Sequence, residues 1–376
     1  MEGGFTLHTM HWRKPRILKT KKYMNVLPEN LKISVIITAY NRRDYLLRAL
    51  NSVLNQTLDR DLFEIIVIKN YKDNEIDQQI IKSGSKLIFS DDKALGAKFI
   101  KGFLESSGDV VCILEDDDLF YRHKLEEVLY EFERDQKLIF YQHPTDVKDV
   151  NSLKLISNGL RSKERIYEYP PTKKKIRSLL KPISKRGVYN NSSYCIRKTA
   201  LESDFGPFHD MVKSCDDFLF LYLLSARGRI KLGKNVLGIK TIFIPDGGEN
   251  RDYKRYLEET LKSELETIET YKAYNVFFHG TPQLEVVNYY MRRAKFRSAI
   301  YGRNQLRFKD LISALSLSLK FSDVYLMVLS FWFILSKVKK EYVLSHFFQT
   351  DGLRKRSTIF TLIKTFLKWI TLTFWG

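Results

Sequence analysis

The sequence predicts an α/β protein with a mostly parallel sheet flanked by helices. Three observations support this fold class: apolar, β-branched runs recur between Lys32 and Leu125, amphipathic helices separate them, and polar clusters follow three of the runs. Strands that are apolar throughout indicate a parallel sheet covered on both faces. With 376 residues, 44% of them hydrophobic, the chain is long and apolar enough to bury a full core.

Four strands and two helices are predicted in the first third of the chain. The strands are residues 33–37, 63–68, 86–89 and 110–114. The helices are residues 46–54, whose apolar side chains recur at helical spacing, and residues 94–105. A further strand is predicted at 192–197, and the helix that follows Cys215 carries two acids in its first turn. These acids complement the positive end of the helix dipole.

Polar residues follow three of the strands, at 38–43, 69–73 and 115–118. Ligands of parallel sheets bind at the carboxyl ends of the strands, so these clusters predict a binding edge. The last cluster is the acidic run, Glu115-Asp116-Asp117-Asp118. Hard divalent ions take oxygen ligands and bridge phosphate oxygens, so the acidic run predicts a Mg²⁺ or Mn²⁺ site that holds a diphosphate. The alternative is a solvated acidic turn that caps the helix beginning near His123.

The net charge of +19 is concentrated at the two ends of the chain. Residues 1–32 carry 7 Lys/Arg and 2 Asp/Glu, and residues 286–376 carry 16 and 4. A near-neutral middle with basic ends is not typical of a nucleic-acid enzyme with a continuous basic groove. It predicts a domain whose ends meet an anionic surface, with no nucleic-acid partner.

The C-terminal region predicts association with a membrane surface. The apolar stretch 311–335 is interrupted by charges, and its longest uncharged part has 12 residues, fewer than the roughly 20 of a spanning helix. Residues 358–375 predict a basic amphipathic helix, which would lie flat on an anionic bilayer. The alternative is that these helices pack against each other or against a second subunit.

The N-terminus and the cysteines predict a cytoplasmic location, on the inner face of the cell membrane. Residues 1–31 are polar and basic, without the apolar segment of a secretory signal. The three cysteines are too few and too scattered for a disulfide framework, which favours a reducing compartment.

Three segments resemble motifs of the family 2 glycosyltransferases, which have the GT-A fold. Residues 34–42 resemble the opening strand of that family, and residues 115–119 followed by Leu125 resemble its acidic metal motif. Residues 205–208 and 215–218 resemble its later glycine segment and acid pair. The motifs occur in order between Lys32 and Ala226. The resemblance implies a GT-A fold and transfer of a sugar from a nucleotide-diphosphate sugar.

The resemblance also implies roles for individual residues. In this family the later acid acts as general base in a single displacement with inversion; Asp217 aligns best with it and Asp216 second, although both could serve only as helix N-terminal charges. Tyr40 would contact the nucleotide base of the donor, or be an ordinary turn residue. The residues expected at the nucleotide sugar are Thr38, Ala39, Tyr40, Asn41, Asn70, Lys98, Asp116 and Asp117. Those expected at the metal, Mn²⁺ or Mg²⁺, are Asp117, Asp118 and Glu115.

Two departures from the family pattern affect these expectations. Lys69-Asn70 replaces the usual Asp pair after the second strand, so the base of the UDP- or GDP-linked donor stays open. The usual Arg of the third helix is missing, and Lys98 or Lys101 is expected to replace its charge. No Gln-x-x-Arg-Trp motif follows the expected general base, Asp217, which favours addition of a single sugar over processive synthesis.

The predicted organisation has three parts. A basic extension covers residues 1–31, the GT-A catalytic domain residues 32–255, and a helical region residues 256–376. The basic segment 173–186 lies between the metal motif and the expected general base, Asp217. It is either a solvated loop or a contact for an anionic acceptor. The expected partners are the donor, a glycan or lipid-linked acceptor and an anionic membrane, with a homo-oligomer left open.

Two functions from other classes compete with a glycosyltransferase. The first is an anionic-surface or nucleic-acid binding protein on a degenerate transferase scaffold, which the altered Lys69-Asn70 and the basic ends favour. The intact acidic run opposes it, because carboxylates repel phosphate backbones. The second is a nucleotidyltransferase with the same metal geometry, but residues 38–44 lack the glycine expected of its phosphate loop.

Overall fold

The computed structural model describes residues 31–92, 95–159, 164–168, 190–201, 228–242, 253–300, 311–312 and 315–316. Several predicted features lie outside these residues: residues 1–30 of the basic extension, the basic segment 173–186, the glycine segment 205–208, the acid pair Asp216 and Asp217, and the amphipathic helix 358–375. Contacts divide the chain into two compact units. The first comprises Met1–Glu249 with Ala273–Leu284, and the second comprises Asn250–Lys272 with Glu285–Gly376.

The first unit contains two sheets among its described residues. The larger sheet has the strand order β3-β2-β1-β4-β10-β6-β11-β9. Its strands are β1 (Ile33–Thr38), β2 (Phe63–Lys69), β3 (Lys86–Phe89), β4 (Val110–Glu115), β6 (Leu138–Gln142), β9 (Arg165–Glu168), β10 (Tyr194–Arg197) and β11 (Arg229–Leu232). β1, β2, β3 and β4 run parallel, whereas β10 runs antiparallel to both of its neighbours.

The smaller sheet has the order β5-β12-β7-β8. Its strands are β5 (Leu119–Phe120), β7 (Thr145–Asp149), β8 (Leu155–Ser157) and β12 (Gly238–Ile242). β5 follows the acidic run directly, and β12 pairs with it antiparallel, with Ile239 opposite Leu119. The smaller sheet therefore begins beside the acidic run.

Four helices flank the larger sheet. They are α1 (Leu46–Leu54), α2 (Asn74–Lys82), α3 (Leu95–Glu105) and α4 (Lys124–Arg134). In α1, buried side chains recur every three or four residues, so that one face packs against the same sheet face as Ile33, Val35 and Ile37. On the opposite face, Gly102 of α3 lies so near Ile36 that an added Cβ would be 2.6 Å from its Cγ2.

The predicted α/β class with a mostly parallel sheet is therefore confirmed. Every predicted strand between residues 33 and 114 is present to within one residue at its end. The strand predicted at 192–197 is shorter, because Asn191–Ser193 form a 3₁₀ turn before β10. Asn190 caps that turn: its side-chain oxygen accepts a hydrogen bond from the backbone nitrogen of Ser192 at 3.0 Å.

The cysteines depart from the sequence prediction. Cys112 of β4 and Cys195 of β10 are opposite each other in the sheet and form a disulfide with a Cα–Cα distance of 4.2 Å. Two cysteines 83 residues apart show no pairing signal in the sequence, because the pairing depends on how the two strands align. The number and spacing of the cysteines therefore no longer support the prediction of a reducing compartment.

Most of the helices α5 (Tyr253–Phe277) and α6 (Leu284–Ile300) belongs to the second unit. In that unit, Arg297 Nε lies 2.9 Å from Glu264 Oε1, and the rings of Tyr271 and Tyr290 stack with centroids 5.7 Å apart. Within the part of the chain that the structure describes, no helix is both long and apolar enough to cross a membrane.

Candidate active site

Three neighbouring strands bring the polar clusters of the sequence together. β1 lies between β2 and β4, and all three run in the same direction, so residues 38–43, 69–73 and 115–118 meet at one edge. The backbone nitrogen of Asn41 donates to Asn70 Oδ1 at 2.8 Å, and that of Asp116 donates to the Thr38 carbonyl at 3.2 Å. The three polar clusters therefore meet at one edge, as the sequence predicted.

The acidic run is held in place by residues distant in sequence. At its first residue, the Glu115 backbone nitrogen donates to Ser192 Oγ at 3.0 Å, and Glu115 Oε1 accepts from Asn191 Nδ2 at 3.1 Å. At its last residue, Asp118 Oδ1 accepts a 2.7 Å hydrogen bond from the backbone nitrogen of Thr241 in β12. The turn before β10 and the strand β12 therefore fix the two ends of the run.

Burial and mutual repulsion make the acidic run electrostatically costly. Burial, together with the nearby Glu115 and Asp117 carboxylates, raises the pKa of Asp118 to about 8. Burial also raises the pKa of Asp116 to about 7, although Arg42 opposes the shift. The pKa of Glu115 is raised by burial as well. The site would therefore be stabilised by a cation among these carboxylates.

The geometry of three acids fits a divalent cation. Glu115, Asp117 and Asp118 each offer an oxygen, and these atoms all lie within 4.8 Å of one another. Oxygens about 2.1–2.5 Å from a common ion lie no more than about 5 Å apart, which matches this spacing. Asp118 is only 2% exposed, and its Oδ2 accepts no hydrogen bond from any described residue. A buried oxygen of this kind needs a partner.

Arg42 is the basic partner of the acidic run. Its Nη1 lies 2.5 Å from Asp117 Oδ2, and its Nη2 also contacts Asp116 Oδ1. Burial alone would lower the pKa of Arg42, but the two carboxylates raise it above its ordinary value. Arg42 is the last residue of the opening motif at 34–42, and its pairing with the acidic run was not predicted.

The residues expected at the nucleotide sugar line the same edge. Thr38 and Ala39 are buried at the end of β1, whereas Tyr40 is half-buried and Asn41 exposed. Asn41 adopts a left-handed conformation with a φ of 57°. This conformation suits asparagine, and here it places the Asn41 and Asn70 side chains in contact, with Asn70 Nδ2 donating to Asn41 Oδ1 at 2.7 Å.

Lys98 and Lys101 occupy different environments. The Lys98 ammonium lies 4.0 Å from the centre of the Tyr40 ring, and burial lowers its pKa although Asp116 and Asp92 oppose the shift. Lys101 instead donates to the backbone carbonyl of Phe89 at 3.0 Å. Of the two lysines considered, Lys98 therefore lies beside the expected nucleotide-sugar residues.

The two positions that depart from the family pattern differ in structure. Lys69 is fully buried; its Nζ lies 2.5 Å from Asp77 Oδ1 and donates to the Tyr71 carbonyl at 2.6 Å. Asn70 faces Asn41 at the edge. Tyr71 has a hydroxyl that is buried without a hydrogen-bond partner among the described residues. Lys69 thus supports the edge as a buried residue, whereas Asn70 and Tyr71 lie at the edge itself.

Several residues of this site were missed by sequence reasoning. Asn191, Ser192 and Thr241 hold the acidic run, and Lys124 is buried beside it, donating to the Ser192 carbonyl at 2.8 Å. Only the polar sequence 190–193, directly before an apolar strand, offered a signal. The expected base Asp217 and its neighbour Asp216 lie outside the described residues.

Comparison with known proteins identifies the domain that carries this site. The sequence model described as Glycosyl transferase family 2 matches residues 34–195. Residues 34–195 form a family 2 glycosyltransferase domain. This range includes β1, β2 and the acidic run, and therefore the first two motifs of the resemblance, whereas the third motif, at 205–218, lies beyond it.

Relatives share part of this family 2 domain. An uncharacterized glycosyltransferase, alr2836, of Nostoc sp. is 36% identical over 126 residues, 32% of this chain and 38% of that protein. The probable glycosyltransferase YdaM of Bacillus subtilis is 28% identical over 127 residues, 31% and 29% respectively. The match thus spans well under half the length of either relative. The crystal structure of S. aureus TarS 1–349 aligns over 86% of this chain and 92% of that chain, with a TM-score of 0.46 and 13% identity.

Proposed function

We propose that this protein is a metal-dependent, inverting glycosyltransferase that moves a single sugar from a nucleotide-diphosphate sugar to an acceptor hydroxyl. The observation that carries this proposal is the cluster of three carboxylates at the end of β4, with ligand oxygens within 4.8 Å of one another, in a family 2 domain. The acceptor in this proposal is a glycan or a lipid-linked sugar.

The proposed donor site follows from the charges at the edge. A divalent cation bound by Glu115, Asp117 and Asp118 would neutralise the carboxylates and the charge that develops on the departing diphosphate. Lys98 adds a positive charge close to Tyr40. The paired amides of Asn41 and Asn70 offer both donors and acceptors to the nucleoside, which leaves UDP and GDP as candidate carriers.

The proposed chemistry is a single displacement. The acceptor oxygen attacks the anomeric carbon from the face opposite the diphosphate, and the bond from that carbon to the phosphate oxygen breaks. Asp217, with Asp216 as the second candidate, takes the proton of the acceptor hydroxyl. The configuration at the anomeric carbon is inverted because bond formation and bond cleavage occur on opposite faces.

Turnover of a panel of UDP- and GDP-sugars, with Mn²⁺, with Mg²⁺ and with EDTA, tests this proposal. We expect metal-dependent release of UDP or GDP with one of these donors. Asp217→Asn should lower kcat by about a hundredfold or more with little change in donor affinity, because general base catalysis typically contributes about 10²–10⁴-fold. Release of pyrophosphate instead of a nucleoside diphosphate would indicate a nucleotidyltransferase.

We also propose that the protein works on the inner face of the cell membrane. The basic amphipathic pattern of residues 358–375 supports this location. Truncation before Ser357 should abolish co-sedimentation with vesicles of anionic phospholipid but leave turnover of a soluble acceptor unchanged. Unchanged sedimentation would mean that the segment packs within the protein or against a second subunit.

A further inference from the structure

Arg42 engages one of the carboxylates that the proposed metal would need. Its guanidinium contacts Asp117 and Asp116, and the Asp117 Oδ2–Arg42 Nη1 distance is 2.5 Å. Asp117 is also one of the three acids whose oxygens lie within 4.8 Å of one another. Arg42 therefore neutralises part of the charge that a divalent cation would otherwise neutralise.

Arg42 reaches the acidic run from the solvent-exposed side. It lies in the loop between β1 and α1, and its side chain is 46% exposed, whereas Asp116 and Asp117 are 1% and 20% exposed. The Asn41 backbone before it is fixed by Asn70, so a change at Arg42 can be confined to its side chain. The guanidinium is thus the exposed partner of this pairing, and the carboxylates are the buried ones.

A cation among the carboxylates would change the balance of charge at Arg42. Two positive charges added beside Asp117 would repel the guanidinium and satisfy the carboxylate it binds. A diphosphate held at the same cation would bring negatively charged oxygens within reach of the loop that carries Arg42. A guanidinium fits phosphate oxygens as well as it fits carboxylates, since both accept two parallel hydrogen bonds.

We propose that Arg42 is the counter-ion of the acidic run in the metal-free protein and a ligand of the donor diphosphate in the loaded protein. This inference rests on the proposed function and assigns a role to a residue outside the expected site. Metal and diphosphate binding would then be cooperative, because Arg42 would leave the carboxylates for the phosphate oxygens when both ligands are bound.

The inference predicts opposite effects of one substitution on two ligands. Arg42→Ala should bind Mn²⁺ alone about tenfold more tightly than the wild type, because the cation no longer competes with a charged hydrogen bond. The same variant should bind pyrophosphate about tenfold more weakly in saturating Mg²⁺, because one charged contact to phosphate is lost. A loss of structure would instead weaken both.

The experiment has two titrations. Free Mn²⁺ is followed by electron paramagnetic resonance without any nucleotide, and pyrophosphate binding is followed by calorimetry in saturating Mg²⁺. Arg60→Ala is the matched control: it removes the same charge at the opposite end of β2, where the exposed Arg60 side chain donates to the Phe63 carbonyl. Its two affinities should stay within about twofold of the wild type, a difference well under 1 kcal/mol. Arg42→Gln is the second variant if Arg42→Ala folds poorly.

Each outcome of the two titrations supports or overturns a role proposed for Arg42. Unchanged or weaker Mn²⁺ binding in Arg42→Ala and Arg42→Gln would overturn the counter-ion role. Tighter Mn²⁺ binding with unchanged pyrophosphate binding would overturn the diphosphate role. Absence of Mn²⁺ binding in the wild type and in both variants would instead contradict the metal site of the proposed function. The failure of this inference is thereby distinguished from the failure of the function on which it rests.

Discussion

The buried pair Lys69–Asp77 offers the sharpest test of how the binding edge is supported. Lys69 is fully buried at the end of β2, and its Nζ lies 2.5 Å from Asp77 Oδ1 in α2. The ring of Tyr71 lies over the same ammonium, with its centroid 4.2 Å away. Asp77→Asn would leave the ammonium without its counter-charge, in a position where water cannot replace it.

Breaking a buried ion pair by removing one partner typically costs about 3–5 kcal/mol. We expect the lower end, about 3 kcal/mol, because Asp77 is 16% exposed and Lys69 keeps its hydrogen bond to the Tyr71 carbonyl. For a unit of this size, that loss lowers Tm by about 6–12 °C. Lys69→Met should cost about 1–3 kcal/mol, because Asp77 Oδ1 is buried and loses its partner.

Urea denaturation of the single variants and of Lys69→Met/Asp77→Leu measures these differences. The double variant should lie within about 1 kcal/mol of the wild type, since a buried ion pair can be replaced by apolar residues of similar volume. Glu75→Gln is the matched control, because it removes an exposed acid from the same helix. A loss below about 1 kcal/mol for Asp77→Asn would refute the view that this pair is a buried support.

Three further predictions concern the stability of the folded chain. Burial keeps the pKa of His143 well below its ordinary value, so stability is present above about pH 6.5 and is lost as the pH falls; we expect about 2 kcal/mol less at pH 5 than at pH 7 from this residue alone. Urea denaturation at both pH values should show a shallower pH dependence for His143→Phe, and an unchanged one would contradict the assignment. Reduction of the Cys112–Cys195 disulfide, which closes a loop of 83 residues, should lower the free energy of unfolding by at most about 4.5 kcal/mol. Dithiothreitol should therefore destabilise the wild type but not Cys112→Ala/Cys195→Ala, and equal effects on both would be the contrary result. Gly102→Ala should lower stability in urea by about 1–3 kcal/mol, because the added Cβ would lie 2.6 Å from Ile36 Cγ2. The higher helix propensity of alanine than of glycine would alone raise stability by about 1 kcal/mol. A stabilised variant would therefore show that α3 can move away from the sheet.

The sequence was sufficient for the features that depend on local pattern. The strands that end at Thr38, Lys69 and Glu115 are continuous apolar runs followed by polar residues, and both the burial and the position of the edge follow from that pattern. Parallel order then brings Asn41 close to Asn70. The acidic run was predictable for the same reason, since it lies immediately after such a strand.

Features that depend on distant pairing were not predictable. The hydrogen bond from the Thr241 backbone to Asp118 joins residues 123 apart, and it exists because β12 pairs with β5 in a second sheet. The disulfide likewise needs the alignment of β10 with β4. The role of Arg42 as partner of the acidic run depends on the direction of one side chain, which no periodicity encodes.

The central claim is that the acidic run binds a cation that in turn holds a nucleoside diphosphate. Calorimetric titration of UDP and GDP into the wild type, Asp117→Asn and the control Glu133→Gln, with Mn²⁺ or with EDTA, tests it most directly. Glu133 is an exposed acid of α4, so its replacement removes one negative charge without changing the run. The account predicts that the wild type and Glu133→Gln bind one of the two nucleotides only with Mn²⁺, and that Asp117→Asn binds it at least about tenfold more weakly. Equal binding in EDTA, or unimpaired binding by Asp117→Asn, would contradict it.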